Sequence, residues 1–215
     1  MAIVVVGTVF VDIKGFPEDL YIPGGRNAGS VQIVHGRVGR YVAEDIANVE
    51  LRPVFVSMVD DSAEGGEVLR KLRNHRVNTD YVVTTQDGMG MWLAVFDETG
   101  DVVGSISKRP KMDAMVELLD EKGDEIFSGA DSIVIEIDLD KQVVKRVLKY
   151  AKKYGKKVYA VVVNMSIASQ RRDFLKDIDC FVCNVQEAGI LFVADYSALT
   201  PECSGSRHRQ PRSLW

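Results

Sequence analysis

Short apolar runs without alternation recur along the chain, separated by stretches of helical periodicity. The runs are rich in β-branched residues and cover residues 3–7, 53–57, 132–137, 157–163 and 180–183. Unbroken apolar runs of this length are typical of strands covered on both faces of a parallel sheet. Between them, apolar residues at helical spacing predict helices near 42–49, after residue 65 and over 141–157. The alternation predicts an α/β fold with a mostly parallel central sheet and right-handed crossovers.

Two segments interrupt this rhythm with partly alternating strands that are joined by turns. They cover residues 21–36 and 80–108, and the sequence DETGD at 97–101 predicts a hairpin. We expect a small antiparallel β lid, with strands around 20–35 and 80–108, standing off the parallel sheet. A crevice between two such layers is a typical ligand site.

Composition and charge narrow the class of protein. The chain has 215 residues, of which 46% are hydrophobic and 27% charged, as in a soluble globular domain. The net charge of −4 argues against non-specific binding of nucleic acid, which needs a basic surface. No apolar run reaches the roughly 18 residues of a membrane span. Because the N-terminus MAIVVVG lacks a basic region and a cleavage site, we interpret it as a first strand. We therefore expect a cytoplasmic protein with no membrane contact.

The periodic pattern ends near residue 195. Residues 196–215 are rich in Ser, Arg and Pro and show no periodicity. This composition predicts an irregular tail, which is either a disordered end or an artificial or out-of-frame one.

Cysteine spacing allows a zinc site to be considered. Cys180, Cys183, Cys203 and His208 could form a C-x-x-C…C…H set. However, residues three apart on a strand point to opposite faces, so Cys180 and Cys183 would diverge. We interpret these cysteines as small buried hydrophobic residues and expect no zinc.

The first candidates for ligand binding are polar groups at the end of a predicted strand and at the start of a predicted helix. Asp12 lies just past the first predicted strand, where open α/β sheets bind ligands, although a turn or N-cap aspartate is an alternative. Gly36 and Gly39 flank the start of a predicted helix, so backbone N–H groups could face a polar ligand. The alternative is an ordinary turn, since the stretch matches no P-loop.

The sequence NVQE at 184–187 is the third candidate. It follows the last predicted strand and places Asn184 and Glu187 on the first turn of a helix. An amide and a carboxylate there suit a hydrated Mg²⁺ ion and its phosphate ligands. The alternative is an N-cap asparagine with a capping-box glutamate.

Taken together, the order of these stretches, the lid strands and the βα rhythm resemble the PfkB/ribokinase-type carbohydrate and nucleoside kinases over about residues 1–195. The resemblance implies a ribokinase-like three-layer sandwich that transfers phosphate from ATP to a sugar or nucleoside hydroxyl with Mg²⁺. It also implies a possible homodimer through the lid sheet. DYVVTTQDGMGMWLAVFDETGDVVGSIS is similar to the family's lid strands.

The resemblance also implies roles for single residues. Asp12 matches an aspartate that binds sugar hydroxyls. The stretch from Gly36 to Ala43 matches a G-G-x-x-x-N-x-A loop that closes around the sugar, which places Gly36, Arg37 and Tyr41 on the substrate side. Asn184 and Glu187 match an N-x-x-E motif that organises Mg²⁺ and phosphate, with Glu187 as the metal residue.

The sequence departs from the family pattern in several places. Arg37 stands at the second motif glycine and Tyr41 at the motif asparagine, while Asp60 and Ser62 replace the usual glycine and aspartate of the next segment. The motif D-T-x-G-A-G-D does not occur in the sequence. In the family that motif supplies the anion hole and the general base. We therefore expect a C-terminally truncated kinase with little or no activity.

Two other hypotheses remain open at this point. The chain could be a non-catalytic module that binds a sugar or nucleoside or dimerises through the lid. It could also be a truncated gene product whose tail comes from a shifted reading frame.

Overall fold

A computed structural model describes residues 2–163, 167 and 169–193 of the chain. In this part, ten strands and five α-helices follow one another, together with one 3₁₀ helix (Ser169–Asp177). The strands are β1 (Ala2–Val6), β2 (Phe10–Pro17), β3 (Gly29–Gly36), β4 (Arg52–Val59), β5 (Asn78–Thr84), β6 (Gly90–Phe96), β7 (Val102–Lys108), β8 (Ser132–Glu136), β9 (Lys157–Val161) and β10 (Cys180–Val182). The helices are α1 (Val38–Asn48), α2 (Ala63–Asn74), α3 (Asp113–Ser128), α4 (Lys141–Tyr154) and α5 (Val185–Phe192).

The larger sheet has the order β10-β9-β8-β1-β4-β5, and each described pairing in it is parallel. Every apolar run predicted as a buried parallel strand lies in this sheet. Helices α3 and α4 pack on one face of this sheet and form one hydrophobic core with it. Helices α1 and α2 pack on the other face and form a second core. The predicted three-layer α/β sandwich is therefore confirmed.

The smaller sheet has the order β3-β2-β6-β7 and differs from the expected lid in three respects. It is mixed and not antiparallel, because β2 and β6 run parallel. Its strand β2 falls before the predicted lid segments, and residues 20–28 do not form a strand. Moreover, β5 pairs with β4 at the edge of the larger sheet, so residues 80–84 do not belong to the lid. The predicted hairpin is present, with Gly100 at φ 88° between β6 and β7.

Helix α3 was not among the predicted elements. Its packing against α4 depends on Gly123, because a Cβ there would lie 2.1 Å from the ring of Tyr150. The Tyr150 hydroxyl donates to the carbonyl of Leu119 at 3.0 Å, and its ring stacks on Phe127. A glycine inside the helix thus lets the two helices approach closely.

The prediction of buried cysteines is wrong for Cys180, which is exposed on the edge strand β10, while Cys183 is half-buried. Burial raises the pKa of the Cys183 thiol. Cys203, His208 and the predicted tail at 196–215 lie outside the described residues. In the described part, no helix is both long and apolar enough to cross a membrane.

Candidate functional site

A cleft of about 420 Å³ opens at the carboxyl edge of the larger sheet, beneath the smaller one. Thr8 follows β1 and Asp138 follows β8, so neighbouring strands deliver both residues to this edge. Phe10 of β2, Arg37 before α1 and Arg109 after β7 also line the cleft. Ligands bind at this edge in open α/β sheets.

A fully buried carboxylate, Glu136, forms the centre of a charge cluster next to the cleft. It accepts hydrogen bonds from the Gly39 N–H at 2.7 Å, the Thr8 hydroxyl at 3.0 Å and the Arg37 Nε at 3.3 Å. Burial raises the pKa of Glu136, and Arg37 opposes that shift. The N-cap residue of α1, Arg37, makes no side-chain hydrogen bond to the first turn of the helix. Glu136, which is distant in sequence, accepts the Gly39 N–H of that turn instead.

The close approach of α1 to β1 depends on two glycines. A Cβ on Gly39 would lie 2.8 Å from Glu136 Oε1 and 3.0 Å from the Cα of Gly7. Gly39 therefore makes room for the carboxylate at the helix N-terminus, in place of the ligand-facing role that the sequence suggested.

Arg37 adopts a backbone conformation that favours glycine, with φ 93°. This explains physically why a glycine suits the second position of the loop motif. The arginine side chain is 12% exposed; its Nη2 donates to Asp138 Oδ2 at 2.8 Å and its guanidinium lies 4.5 Å from the centre of the Phe10 ring. Ion pairs to Glu136 and Asp138 thus hold an arginine in a strained position.

Asp138 is 1% exposed and lines the cleft. Its Oδ2 lies 2.8 Å from Arg37 and 3.7 Å from Arg109, whereas its buried Oδ1 has no partner in the described part of the chain. Burial raises the pKa of this carboxyl, and the neighbouring Arg37 opposes the shift. A buried acceptor without a donor is costly, so Oδ1 is suited to receive a hydrogen bond from a ligand.

Asp12 lies within β2, so the interpretation as a turn or N-cap residue is wrong. Its carboxylate packs on Gly36, where a Cβ would lie 2.5 Å from Oδ2. Burial raises the pKa of Asp12, with Lys14 and Arg37 opposing. Asp12 and Gly36 do not line the cleft; Arg37, which follows Gly36, does. The structure thus brings Asp12 and Gly36 together beside the cleft.

Tyr41 is not among the residues that line the cleft. Its hydroxyl donates to the carbonyl of His35 at 2.9 Å, the guanidinium of Arg40 lies 4.1 Å from its ring centre, and the residue is 45% exposed. The loop position at which the family has an asparagine is therefore used here to tie α1 to β3. The other departures also have a local role: Ser62 caps α2 and donates to Asp60.

Asn184 and Glu187 form a reciprocal capping box at the start of α5. The Asn184 side chain accepts from the Glu187 N–H at 2.8 Å, and Glu187 Oε2 accepts from the Asn184 N–H at 2.8 Å. The capping interpretation is confirmed. Glu187 Oε1 has no hydrogen-bond partner among the described residues, and one free oxygen fits an Mg²⁺ ion that keeps most of its ligands as water or phosphate. The described residues contain no group of three acids, cysteines or histidines placed to hold a metal.

Sequence reasoning missed four residues of this site: Thr8, Arg109, Glu136 and Asp138. A signal was available for Glu136, because an acid inside a run buried on both faces of a sheet must be paired or functional. Thr8 and Arg109 carried no signal, since only the fold brings them to the same edge.

Comparisons with known proteins identify the relatives of this chain. The sequence matches the pfkB family carbohydrate kinase profile over residues 2–201. It is 34% identical over 201 residues to a guanosine-inosine kinase of Exiguobacterium acetylicum, covering 93% of this chain and 66% of that protein.

Solved structures share the fold. A carbohydrate kinase from Agrobacterium tumefaciens superposes with a TM-score of 0.75 at 21% identity, covering 88% of this chain and 62% of that one. The Arabidopsis thaliana ribokinase complexed with ribose and ATP gives a TM-score of 0.71 at 20% identity, covering 95% and 65%. The chain thus spans slightly less than two thirds of the length of these relatives, and the predicted ribokinase-like fold is confirmed.

Proposed function

The chain belongs to the pfkB family of carbohydrate kinases, and from this premise we propose that its cleft binds the hydroxyl-bearing substrate of an ATP-dependent sugar or nucleoside kinase. The observation that supports this most directly is Asp138, which lines the cleft and whose buried Oδ1 has no hydrogen-bond partner in the described part. A substrate hydroxyl is a donor that satisfies it. The cleft volume of about 420 Å³ falls within the range of small-molecule sites.

A second acceptor beside the cleft supports a ligand with several hydroxyls. No described residue donates a hydrogen bond to the Asp12 carboxylate, and Gly36 leaves its oxygens uncovered by a side chain. Asp12 and Asp138 would accept from different hydroxyls of one ring, with Arg37 between them. The name of the guanosine-inosine kinase relative makes purine nucleosides the first ligands to test.

ATP and Mg²⁺ belong to the same proposal. The ribokinase neighbour is a complex with ATP, and the N-x-x-E stretch lies at the same sheet edge as Asp138. Since β10 is two strands from β8, Asn184 and Glu187 would lie about 10 Å away along the edge. Glu187 Oε1 would hold a hydrated Mg²⁺ whose charge stabilises the phosphates. A cytoplasmic location, where ATP is available, completes this assignment.

We also propose that the 215-residue chain transfers phosphate slowly or not at all. Phosphoryl transfer depends on positioning and on donors that stabilise developing charge. The motif that supplies these donors and the base in the family, D-T-x-G-A-G-D, does not occur in the sequence. The carboxylates Asp138 and Glu136 both pair with Arg37, which opposes the rise of their pKa and so makes each a weaker base.

One observation favours the alternative of a binding and dimerisation module. An aliphatic row crosses all four strands of the smaller sheet in register: Ile33, Ile13, Leu93 and Ile106. Ile33 is 59% and Ile106 72% exposed, so both ends of the row are open to solvent, whereas Ile13 is half-buried against the core. A second copy of the chain would cover it. Light scattering should show a dimer that Ile33→Glu with Ile106→Glu dissociates; a monomeric wild-type chain would exclude this homodimer.

Calorimetric titration tests the binding proposal. We expect saturable heat with at least one of ribose, fructose, adenosine, guanosine, inosine and pseudouridine. Asp138→Asn should weaken that binding by about tenfold, since it replaces a charged acceptor by a neutral amide. Lys122→Gln, on the exposed side of α3, serves as the matched control and should bind normally. Absence of binding by every compound would contradict the proposal.

ATP consumption tests the proposed inactivity separately. In the presence of Mg²⁺ and each compound, we expect a rate far below the typical value of about 10 s⁻¹ for enzymes. Turnover at that ordinary rate would show that the chain is an active kinase.

A further inference from the structure

A second concavity, of about 550 Å³, lies at the amino end of β9, away from the candidate site. It opens between the carboxyl-terminal part of α4 and the 3₁₀ helix (Ser169–Asp177). Its rim carries Lys145, Lys149, Lys152, Lys156 and Lys176, and Asp177 is the one acid among the described residues that line it. We call this feature the lysine groove. Its floor is apolar and includes Leu148, Val158 and Phe174.

The basic side chains on the two sides of α4 differ in whether they form ion pairs. On the side that faces α3, Arg146 pairs with Asp120 at 2.8 Å and Lys153 pairs with Asp124. Lys149 lies near both acids and helps to lower their pKa values. In contrast, Lys145, Lys152, Lys156 and Lys176 have no carboxylate within ion-pair distance among the described residues. In a chain with a net charge of −4, these lysines form a local excess of positive charge.

The lysines of α4 form a row. Residues 145, 149 and 152 are four and three apart, so they share one face of the helix over about 10 Å of its axis. Lys156 follows the Gly155 cap and extends the row beyond the helix end. The acidic positions of an amphipathic helix repeat with the same spacing, which makes a row of carboxylates complementary to this row of ammonium groups.

We propose that the lysine groove docks an acidic segment of a partner protein, with carboxylates along the lysine row and an apolar side chain over the floor. Lysine stems and the recessed floor provide apolar contact between the charges. Nucleic acid fits less well, because no arginine is among the described residues that line the groove and because Phe174 is buried and cannot stack on a base. This inference is independent of the function proposed for the cleft.

The test is a fluorescence anisotropy titration with the full 215-residue chain. The probe is a labelled 14-residue peptide with glutamates at helical i, i+4 spacing and leucines on the opposite face. We expect saturable binding that weakens with added salt. Lys145→Glu with Lys152→Glu should weaken it by at least about tenfold, because it places like charges opposite the peptide.

A control variant, a scrambled peptide and single-stranded DNA distinguish binding of an acidic protein segment from binding of other anions. Lys122→Glu with Lys141→Glu changes the net charge equally at exposed positions outside the groove and should leave binding unchanged. Equal weakening by both double variants would overturn the proposal, since the attraction would then depend on total charge. It would also be overturned if a scrambled peptide of identical composition bound equally well. Tighter, groove-dependent binding of single-stranded DNA would assign the surface to nucleic acid.

Discussion

Arg37 Nη2 donates to Asp138 Oδ2 at 2.8 Å, joining residues that are 101 positions apart in the sequence. Arg37 Nε also donates to the fully buried Glu136. One arginine therefore pairs with two carboxylates at the edge of the sheet, from a backbone position with φ 93°. The ion pairs and the backbone strain at this residue act in opposite directions, and their magnitudes can be compared.

Replacing Arg37 by glycine should destabilise the protein, although the family motif has glycine there. Leaving buried carboxylates unpaired costs about 3–5 kcal/mol. Relief of the strained backbone returns only about 1–3 kcal/mol. Urea denaturation at neutral pH measures the difference in the free energy of unfolding. Arg37→Lys, which keeps the charge and the strain, should lose less; an Arg37→Gly variant as stable as the wild type would mean that the ion pairs contribute little.

The raised pKa of Asp138 predicts how stability depends on pH. A carboxyl whose pKa is higher in the folded state contributes stability below its ordinary pKa of about 4, and this contribution is lost as pH rises through the raised value. The wild type should therefore lose stability relative to Asp138→Asn as the pH increases from about 4. Thermal unfolding of both proteins followed by circular dichroism over about pH 4–7 measures this gap. A gap that does not change with pH would show that the pKa is not raised by folding.

Gly39→Ala should destabilise the protein by about 1–3 kcal/mol, because the new methyl group would overlap Glu136 and Gly7. Gly66→Ala in α2 is the matched control. Gly66 is an exposed helix position where an added Cβ meets nothing within 4 Å, so alanine should stabilise it by about 0.5–1 kcal/mol. Chemical denaturation of the two variants should thus shift in opposite directions. Shifts of the same sign would argue against tight packing at Gly39.

Asn184→Ala should lower the free energy of unfolding by about 1 kcal/mol in buffer that contains EDTA, since the capping box needs no metal. Ser62→Ala removes the cap of α2 and should cost a similar amount. An Asn184→Ala variant that is destabilised only when Mg²⁺ is present would contradict a capping role.

Separately, Mg²⁺ should raise the melting temperature of the wild type and not that of Glu187→Gln if Glu187 holds the ion.

Local sequence patterns determined the buried strands, the hairpin and the helix start named below. The apolar runs identified strands with both faces covered, because burial on two faces leaves no room for alternating polar residues. DETGD predicted the hairpin, and NVQE predicted a helix start, because turn and capping preferences act over a few residues. The family resemblance assigned both Asp12 and Gly36 to the substrate side, whereas their direct contact became apparent only in the fold.

The tertiary structure decided what depends on distant partners. A strand such as β5 has the same local pattern in either sheet, so only its pairing with β4 places it in the larger one. The sequence shows Glu136 as a lone acid in an apolar run, whereas the fold surrounds it with Thr8, Arg37 and Gly39. Buried charge is stable only where partners compensate it, and those partners lie about 100 residues away or more. Burial can therefore be predicted from the chain itself, but charge compensation becomes visible only once the chain has folded.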